Sequence, residues 1–153
     1  MKKLSILIIL ISILSCKSHQ TAVIQNDEKY GLINRSGEII VSPLYDYIIK
    51  SSSTNLFMVQ KDEKYGFINK KGEIIIPIIY DDASPFYERL SAVKKGNKYG
   101  FIDSKGRSRI SFKFDDVFLG FSKGLSDVTV NDSCGYINKR GKIVVPIKYE
   151  TCY

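Results

Sequence analysis

The sequence has no tryptophan, one histidine and three cysteines among 153 residues. A single histidine, His19, leaves few ways to build a His-dependent catalytic triad or a multi-histidine metal site. No nucleophile elbow, P-loop, dinucleotide fingerprint or HExxH stretch is present. Four prolines and 11 glycines are too few for a fibrous chain. With 44% hydrophobic residues the chain is too apolar to be wholly disordered. Its length suits one domain and cannot supply two sizeable cores.

Long apolar runs are also scarce. Residues 4–14 form one, broken only by Ser5 and Ser12, with Lys2 and Lys3 ahead of it. As a helix it spans about 16 Å, short of a bilayer core of roughly 30 Å. A positive start, a short apolar run and a small residue make the layout of a secretory signal peptide. The boundary, Ile13-Leu14-Ser15-Cys16, resembles the lipobox of bacterial lipoproteins. The resemblance implies cleavage between Ser15 and Cys16 and acylation of Cys16. Several acyl chains on one residue hold a soluble domain on a membrane, where a single chain holds it weakly. The expectation is a helical signal peptide over 1–15, a polar tether over 16–21 that includes a solvated His19, and a membrane partner reached through acylated Cys16. Lys17, rather than an acid, follows the cysteine, which leans toward the outer membrane or cell surface. An uncleaved anchor and a signal cut by the general peptidase are the competing accounts.

The remainder is one phrase written four times. YGLINRSGEIIV, YGFINKKGEIII, YGFIDSKGRSRI and CGYINKRGKIVV recur every 34 or 35 residues. Each carries two glycines: Gly31 and Gly37, Gly66 and Gly72, Gly100 and Gly106, Gly135 and Gly141. An aromatic and an acid follow: Tyr45-Asp46, Tyr80-Asp81, Phe114-Asp115, Tyr149-Glu150. The pattern resembles the WG-repeat family of bacterial proteins. Tyr stands for the family's Trp in three copies and Cys134 in the fourth. Copy three lacks the proline of the others (Pro43, Pro77, Pro146) and carries Ser108 and Arg109. The family brings an expectation of fold and little function.

Asn or Asp at the first turn position and Gly at the fourth is a type I turn signature, with the glycine free to form a G1 bulge. Flanking β-branched and aromatic residues favour strands. Each unit therefore reads as a three-stranded β-meander, with strands near 22–26, 29–34 and 38–45 in the first copy. The fold class is all-β: about four tandem units (22–55, 56–90, 91–125, 126–153) in a curved or solenoid-like sheet, some twelve strands in all. Segments 51–56, 84–90 and 119–126 connect units. The simplest register pairs Ile33 with Ile39 and Gly31 with Val41. In copy two it pairs Ile68 with Ile74, Phe67 with Ile75 and Gly66 with Ile76. Tyr65, Phe67, Ile75 and Pro77 then share one face, and Ile68, Ile74, Ile76, Ile78 and Tyr80 the other. Both faces are apolar, so neighbouring units must cover them. Gly66 is expected to make room for an aromatic of the adjacent unit. The last unit's open edge invites pairing with another chain.

The repeat acids, Asp46, Asp81, Asp82, Asp115, Asp116 and Glu150, lack the spacing of a calcium loop, and solvated turn acids are expected. No metal and no cofactor is implied. Arg35, Lys70, Lys71, Lys105, Arg107, Lys139, Arg140 and Lys142 sit at hairpin tips. In parallel register they form a basic rim suited to a protein or acidic polysaccharide partner; the simpler account is that lysines keep exposed turns soluble. The net charge of +7 raises nucleic acid as a partner, but an exported protein argues against it. The junction aromatics (Tyr45, Tyr47, Tyr80, Phe86, Tyr87, Phe118, Phe121) are expected in the core rather than on a binding surface. Cys134 and Cys152 would meet an oxidising compartment. The simple register pairs Cys134 with Pro146 and leaves Cys152 roughly 20 Å further along. A bridge then needs the chain to bend back, and Cys134 is expected instead as a small buried residue.

The favoured reading is a non-enzymatic, membrane-anchored envelope lipoprotein acting as a binding or scaffolding module. Alternatives are an envelope glycan-acting enzyme using a pair such as Asp81 and Asp115, a subunit pairing through its terminal strand, and a truncated remnant of a longer repeat protein.

Overall fold

The computed structural model describes residues 21–152. The signal peptide, Ser15, Cys16 and the tether before Thr21 lie outside the described residues. Within them the chain is all-β, with four antiparallel sheets in sequence order. Strands β1 (Thr21–Asn26), β2 (Lys29–Asn34) and β3 (Ile39–Tyr45) make the first. The second holds β4 (Tyr47–Lys50), β5 (Leu56–Lys61), β6 (Lys64–Asn69) and β7 (Ile74–Tyr80). The third holds β8 (Asp82–Ala83), β9 (Leu90–Lys95), β10 (Lys98–Asp103) and β11 (Ser108–Phe114). The fourth holds β12 (Leu125–Val130), β13 (Ser133–Asn138) and β14 (Ile143–Tyr149).

The meander of three strands is present in every unit, and the first copy's strands fall within a residue of the expected limits. Two short strands are additional. β4 and β8 leave their own unit after the aromatic-acid pair and add to the edge of the next sheet. The crossing from one sheet to the next thus occurs at Asp46 and Asp81, earlier than the segments expected to connect units.

The N-x-x-G turns form as the sequence predicts. The Asn34 side-chain oxygen accepts the amides of Ser36 (2.9 Å) and Glu38 (3.0 Å), and Gly37 has φ +82°. Asn69 and Asn138 repeat the arrangement, and Asp103 does so with a carboxylate. The first turn of each unit is a two-residue hairpin. Asp27-Glu28, Asp62-Glu63 and Asn131-Asp132 take positive φ at both positions, as a type I′ turn requires.

The register differs from the simplest one beyond the first pair. Ile68 pairs with Ile74 as expected, but Phe67 faces Ile76 and Tyr65 faces Tyr80. Ile75 is an extra residue, and Gly66 alone opposes 77–79. The same two shifts occur in the other three units. Phe67, Ile76 and Tyr80 therefore point into one core, while Ile74 and Ile75 are exposed. The bulged strand arches over the glycine: a Cβ on Gly66 would lie 2.7 Å from Ile78 Cα and 2.8 Å from the Ile76 carbonyl oxygen. Gly100 and Gly135 are overlaid in the same way. The glycine makes room for its own unit's third strand, not for a neighbour's aromatic.

The shifted register also decides the cysteines. Cys134 opposes Tyr149 rather than Pro146, so Cys152 follows three residues later instead of six. Cys134 and Cys152 are bridged, with Cα atoms 6.1 Å apart. The expectation of an unbridged Cys134 is corrected, although its side chain is indeed buried.

Three hydrophobic clusters are found among the described residues, and each lies between consecutive units. Leu32, Val41, Tyr45 and Ile48 of one unit meet Phe57, Val59 and Ile68 of the next. Leu56, Met58, Phe67 and Ile76, from the other face of that unit, meet Val93 and Ile102. Phe101, Ile110 and Phe114 meet Val128 and Ile137. Adjacent residues of one strand thus serve different cores, as two apolar faces demand. The connectors contribute Phe86 and Phe121, which pack on Phe67 (4.7 Å between centroids) and Phe101 (4.9 Å).

Gly66→Ala should cost about 1–3 kcal/mol, an overpacking penalty against backbone. Gly37→Ala, with nothing within 4 Å of the added carbon, should cost only the left-handed conformation, about 1 kcal/mol. Urea unfolding distinguishes them, and equal losses would refute the arch. Reducing the disulfide, which closes a separation of 18 residues, should cost about 3 kcal/mol, read as a fall in melting temperature with reductant.

Candidate functional site

Stacking gives the molecule two long edges with different chemistry. On one, Asp46, Asp81 and Asp115 are not merely solvated turn acids. Each backbone N–H donates to a carbonyl of the next unit: Gln60 (2.9 Å), Lys94 (3.0 Å) and Thr129 (2.8 Å). One carboxylate oxygen takes the ammonium of Lys29, Lys64 or Lys98 from the acid's own unit. The other accepts the amide at the next unit's first hairpin turn: Asp62 (2.9 Å), Gly96 (2.6 Å) and Asn131 (2.8 Å). An exposed ion pair alone contributes about 0–1 kcal/mol. Here the shared carboxylate also fixes where the next hairpin starts. The lysine bond, then the turn amide, hold each carboxyl below its ordinary value of 3.8.

Asp82 has a separate role. The Tyr99 hydroxyl donates to it, and burial, reinforced by that bond, pushes the phenol well above its ordinary range. The pair borders a cavity of about 240 Å³ also lined by Tyr87, Phe118 and Leu119. Phe118 is 79% exposed and Tyr47 is exposed, against the expectation of core aromatics; Tyr45, Tyr80, Phe86 and Phe121 are buried as expected.

The opposite edge carries the hairpin tips. Each tip glycine after the first sits on the third strand of the preceding unit. A Cβ on Gly72 would meet Val41, one on Gly106 would meet Ile76, and one on Gly141 would meet Ile110. These are equivalent residues, so the tips repeat in parallel register. Arg35, Lys70, Lys71, Lys105, Arg107, Lys139, Arg140 and Lys142 are all exposed along this edge. Two are neutralised: Arg107 by Asp103 (2.7 Å) and Lys139 by Glu88 (2.6 Å). The other six have no ion pair among the described residues.

The charge is concentrated at the third and fourth tips. Arg89, Lys105, Arg107, Arg109 and Lys139 line a cleft of about 400 Å³ in which Asp103 is the one acid. Burial raises the Asp103 carboxyl, but bonds from Arg107 and from the Lys105 and Arg107 amides outweigh it and hold the group below its ordinary value. Arg89 is brought in by the connector between the second and third units. Its amide donates to Ser53 (2.9 Å), and its neighbour Glu88 accepts the amide of Gly124. Sequence reasoning missed Arg89, whose position belongs to no tip. It noticed Arg109 only as an irregularity; the signal was that Ile40, Ile75 and Val144 occupy that position in the other copies.

The family description of a WG containing repeat matches residues 30–65, 65–99, 99–134 and 135–153. No curated protein matches the chain.

A carboxyl whose folded value is depressed stabilises the fold at higher pH and loses that contribution as pH falls through the folded value. Stability should therefore be full above about pH 5 and decline below about pH 4. Asp81→Asn should be less stable at neutral pH and show a shallower acid slope, measured by urea unfolding at stepped pH. An unchanged slope would show that the joints do not titrate with folding.

Proposed function

The chain belongs to the WG-repeat family, and we propose that it is a non-enzymatic binding or scaffolding module held at a bacterial envelope through acyl chains on Cys16. The observation that carries the binding reading is the tip edge. Four exposed basic tips follow one another in fixed register, the last three each seated on the unit before it. A spaced row of positive charge on a stiff array attracts an extended anionic partner and not a small neutral one.

The repeat acids support the same reading from the other side. Asp81 and Asp115, the pair a glycan-acting enzyme would use, each hold a lysine and the next unit's turn amide. A carboxylate with both oxygens engaged is a poor general acid or nucleophile. Export and lipidation rest on the sequence of residues 1–16, where a short apolar run ends at Ser15-Cys16.

In a bacterial host the full chain should partition with membranes, and mass spectrometry should find diacylglycerol on Cys16. Cys16→Ser should move most of the protein to the soluble fraction without changing its melting temperature. A Cys16→Ser protein that stays membrane-bound would overturn lipid anchoring.

A further inference from the structure

The cleft between the third and fourth tips departs from the repeat in a single direction. Copies one and two place Glu38 and Glu73 after the tip glycine, and apolar Ile40 and Ile75 two residues on. Copy three places Arg107 and Arg109 there. The loss of the glutamate is compensated locally. Asp103 replaces the asparagine of the other copies, and Arg107 donates to it through Nε at 2.8 Å and a terminal nitrogen at 2.7 Å. That ion pair takes the place of the bond that Asn34 and Asn69 donate to Glu38 and Glu73.

Arg109 has no such compensation. It is the extra residue of the bulge, between Ser108 paired with Ile102 and Ile110 paired with Phe101. It makes no ladder pair and is exposed. Arg89, across the cleft, is exposed and has no acid partner among the described residues. Lys105 is likewise free of an ion pair. Three unneutralised cations therefore face one recess of about 400 Å³, beside two others already neutralised. Turn solubility does not account for Arg109, which lies in a strand, and the tight Tyr87–Leu90 turn places Arg89 beside it on the same edge.

We propose that this cleft is a subsite for a carboxylate-bearing sugar of an acidic polysaccharide, with Arg89 and Arg109 as its principal ligands. The inference rests on the reading of the tip edge as the working surface. Guanidinium groups present paired donors that match a carboxylate in bidentate fashion. The unpaired cations of the remaining tips continue in register on the same edge, so a chain of regularly spaced anions gains further contacts there that a single phosphate does not. Ser104, on the cleft wall, supplies a hydroxyl for a neutral sugar oxygen. Binding at exposed cations weakens as ionic strength rises.

The test is calorimetric titration of the purified full chain with trigalacturonate, maltotriose and inorganic phosphate at low and moderate salt. Arg109→Ile installs the residue found at this position in copies one and two, so the fold is expected to persist, as unfolding curves will verify. Lys70→Ser with Lys71→Ser removes charge from the rim away from the cleft. Trigalacturonate should bind in preference to both other probes. Arg109→Ile should weaken it about tenfold, the worth of one charged hydrogen bond, and the lysine pair less than about threefold. Equal losses from both variants would leave the basic edge standing and overturn the cleft. Phosphate binding as tightly as trigalacturonate would overturn the polysaccharide assignment. Absence of binding by the wild-type chain to any anion would overturn the cleft and the basic edge together.

Discussion

A strand pair that is apolar on both faces is never a surface. Phe57 and Val59 point one way from β5, Leu56 and Met58 the other, and all four are buried. The only way to bury both sets in a chain of short meanders is to place a neighbour against each face. Every other feature serves that constraint. Cores form between units rather than within them, so the stability of a unit is borrowed from the two beside it. Folding of one unit in isolation would leave at least one of these faces in water.

Hydrophobic faces specify contact but not alignment, since apolar surfaces slide. Alignment comes from polar groups at the ends of the strands. The aspartate after the third strand of the first three units bonds a lysine behind it and a turn amide ahead, and in the first two the chain then adds β4 or β8 to the next sheet before turning back. Such bonds contribute modestly to stability, yet they admit one register. At the far edge the tip glycines seat each hairpin on the strand below. The edges divide the labour accordingly: one is consumed by joints, and the other is left exposed, positive and evenly repeated.

A regular array makes its irregularities informative. Where copy three exchanges Glu for Arg and Asn for Asp, the bond from Asn to Glu is replaced by an Asp103–Arg107 ion pair. Arg109 has no matching exchange, and Phe118, like Tyr47, is exposed beside a unit junction where Tyr45, Tyr80, Phe86 and Phe121 are buried. Cys134 takes the place of the tyrosines Tyr30, Tyr65 and Tyr99 and is closed by a bridge to Cys152.

The repeat, the strands, the N-x-x-G turns and the need for stacked neighbours were all legible in the sequence, because each depends on residues a few positions apart: side-chain alternation, an asparagine three residues before a turn glycine, a glycine that must turn left. Even the two-residue gap before Lys29 and Lys64 marks the first hairpin. The bulged register was not legible, since no local rule places extra residues at Ile75 or opposite Gly66; they arise because Phe67 and Ile76 must reach the same core. From that one shift follow the packing over the glycines and the closure of the disulfide. The joints were hidden for a related reason. Asp46 finds Asp62 and Asp81 finds Gly96 only when two units are already stacked, and Arg89 shares a cleft with Arg109 only once the strands of the third sheet are paired. Local order was written in the chain, whereas contacts between units belong to the assembled core that brings them together.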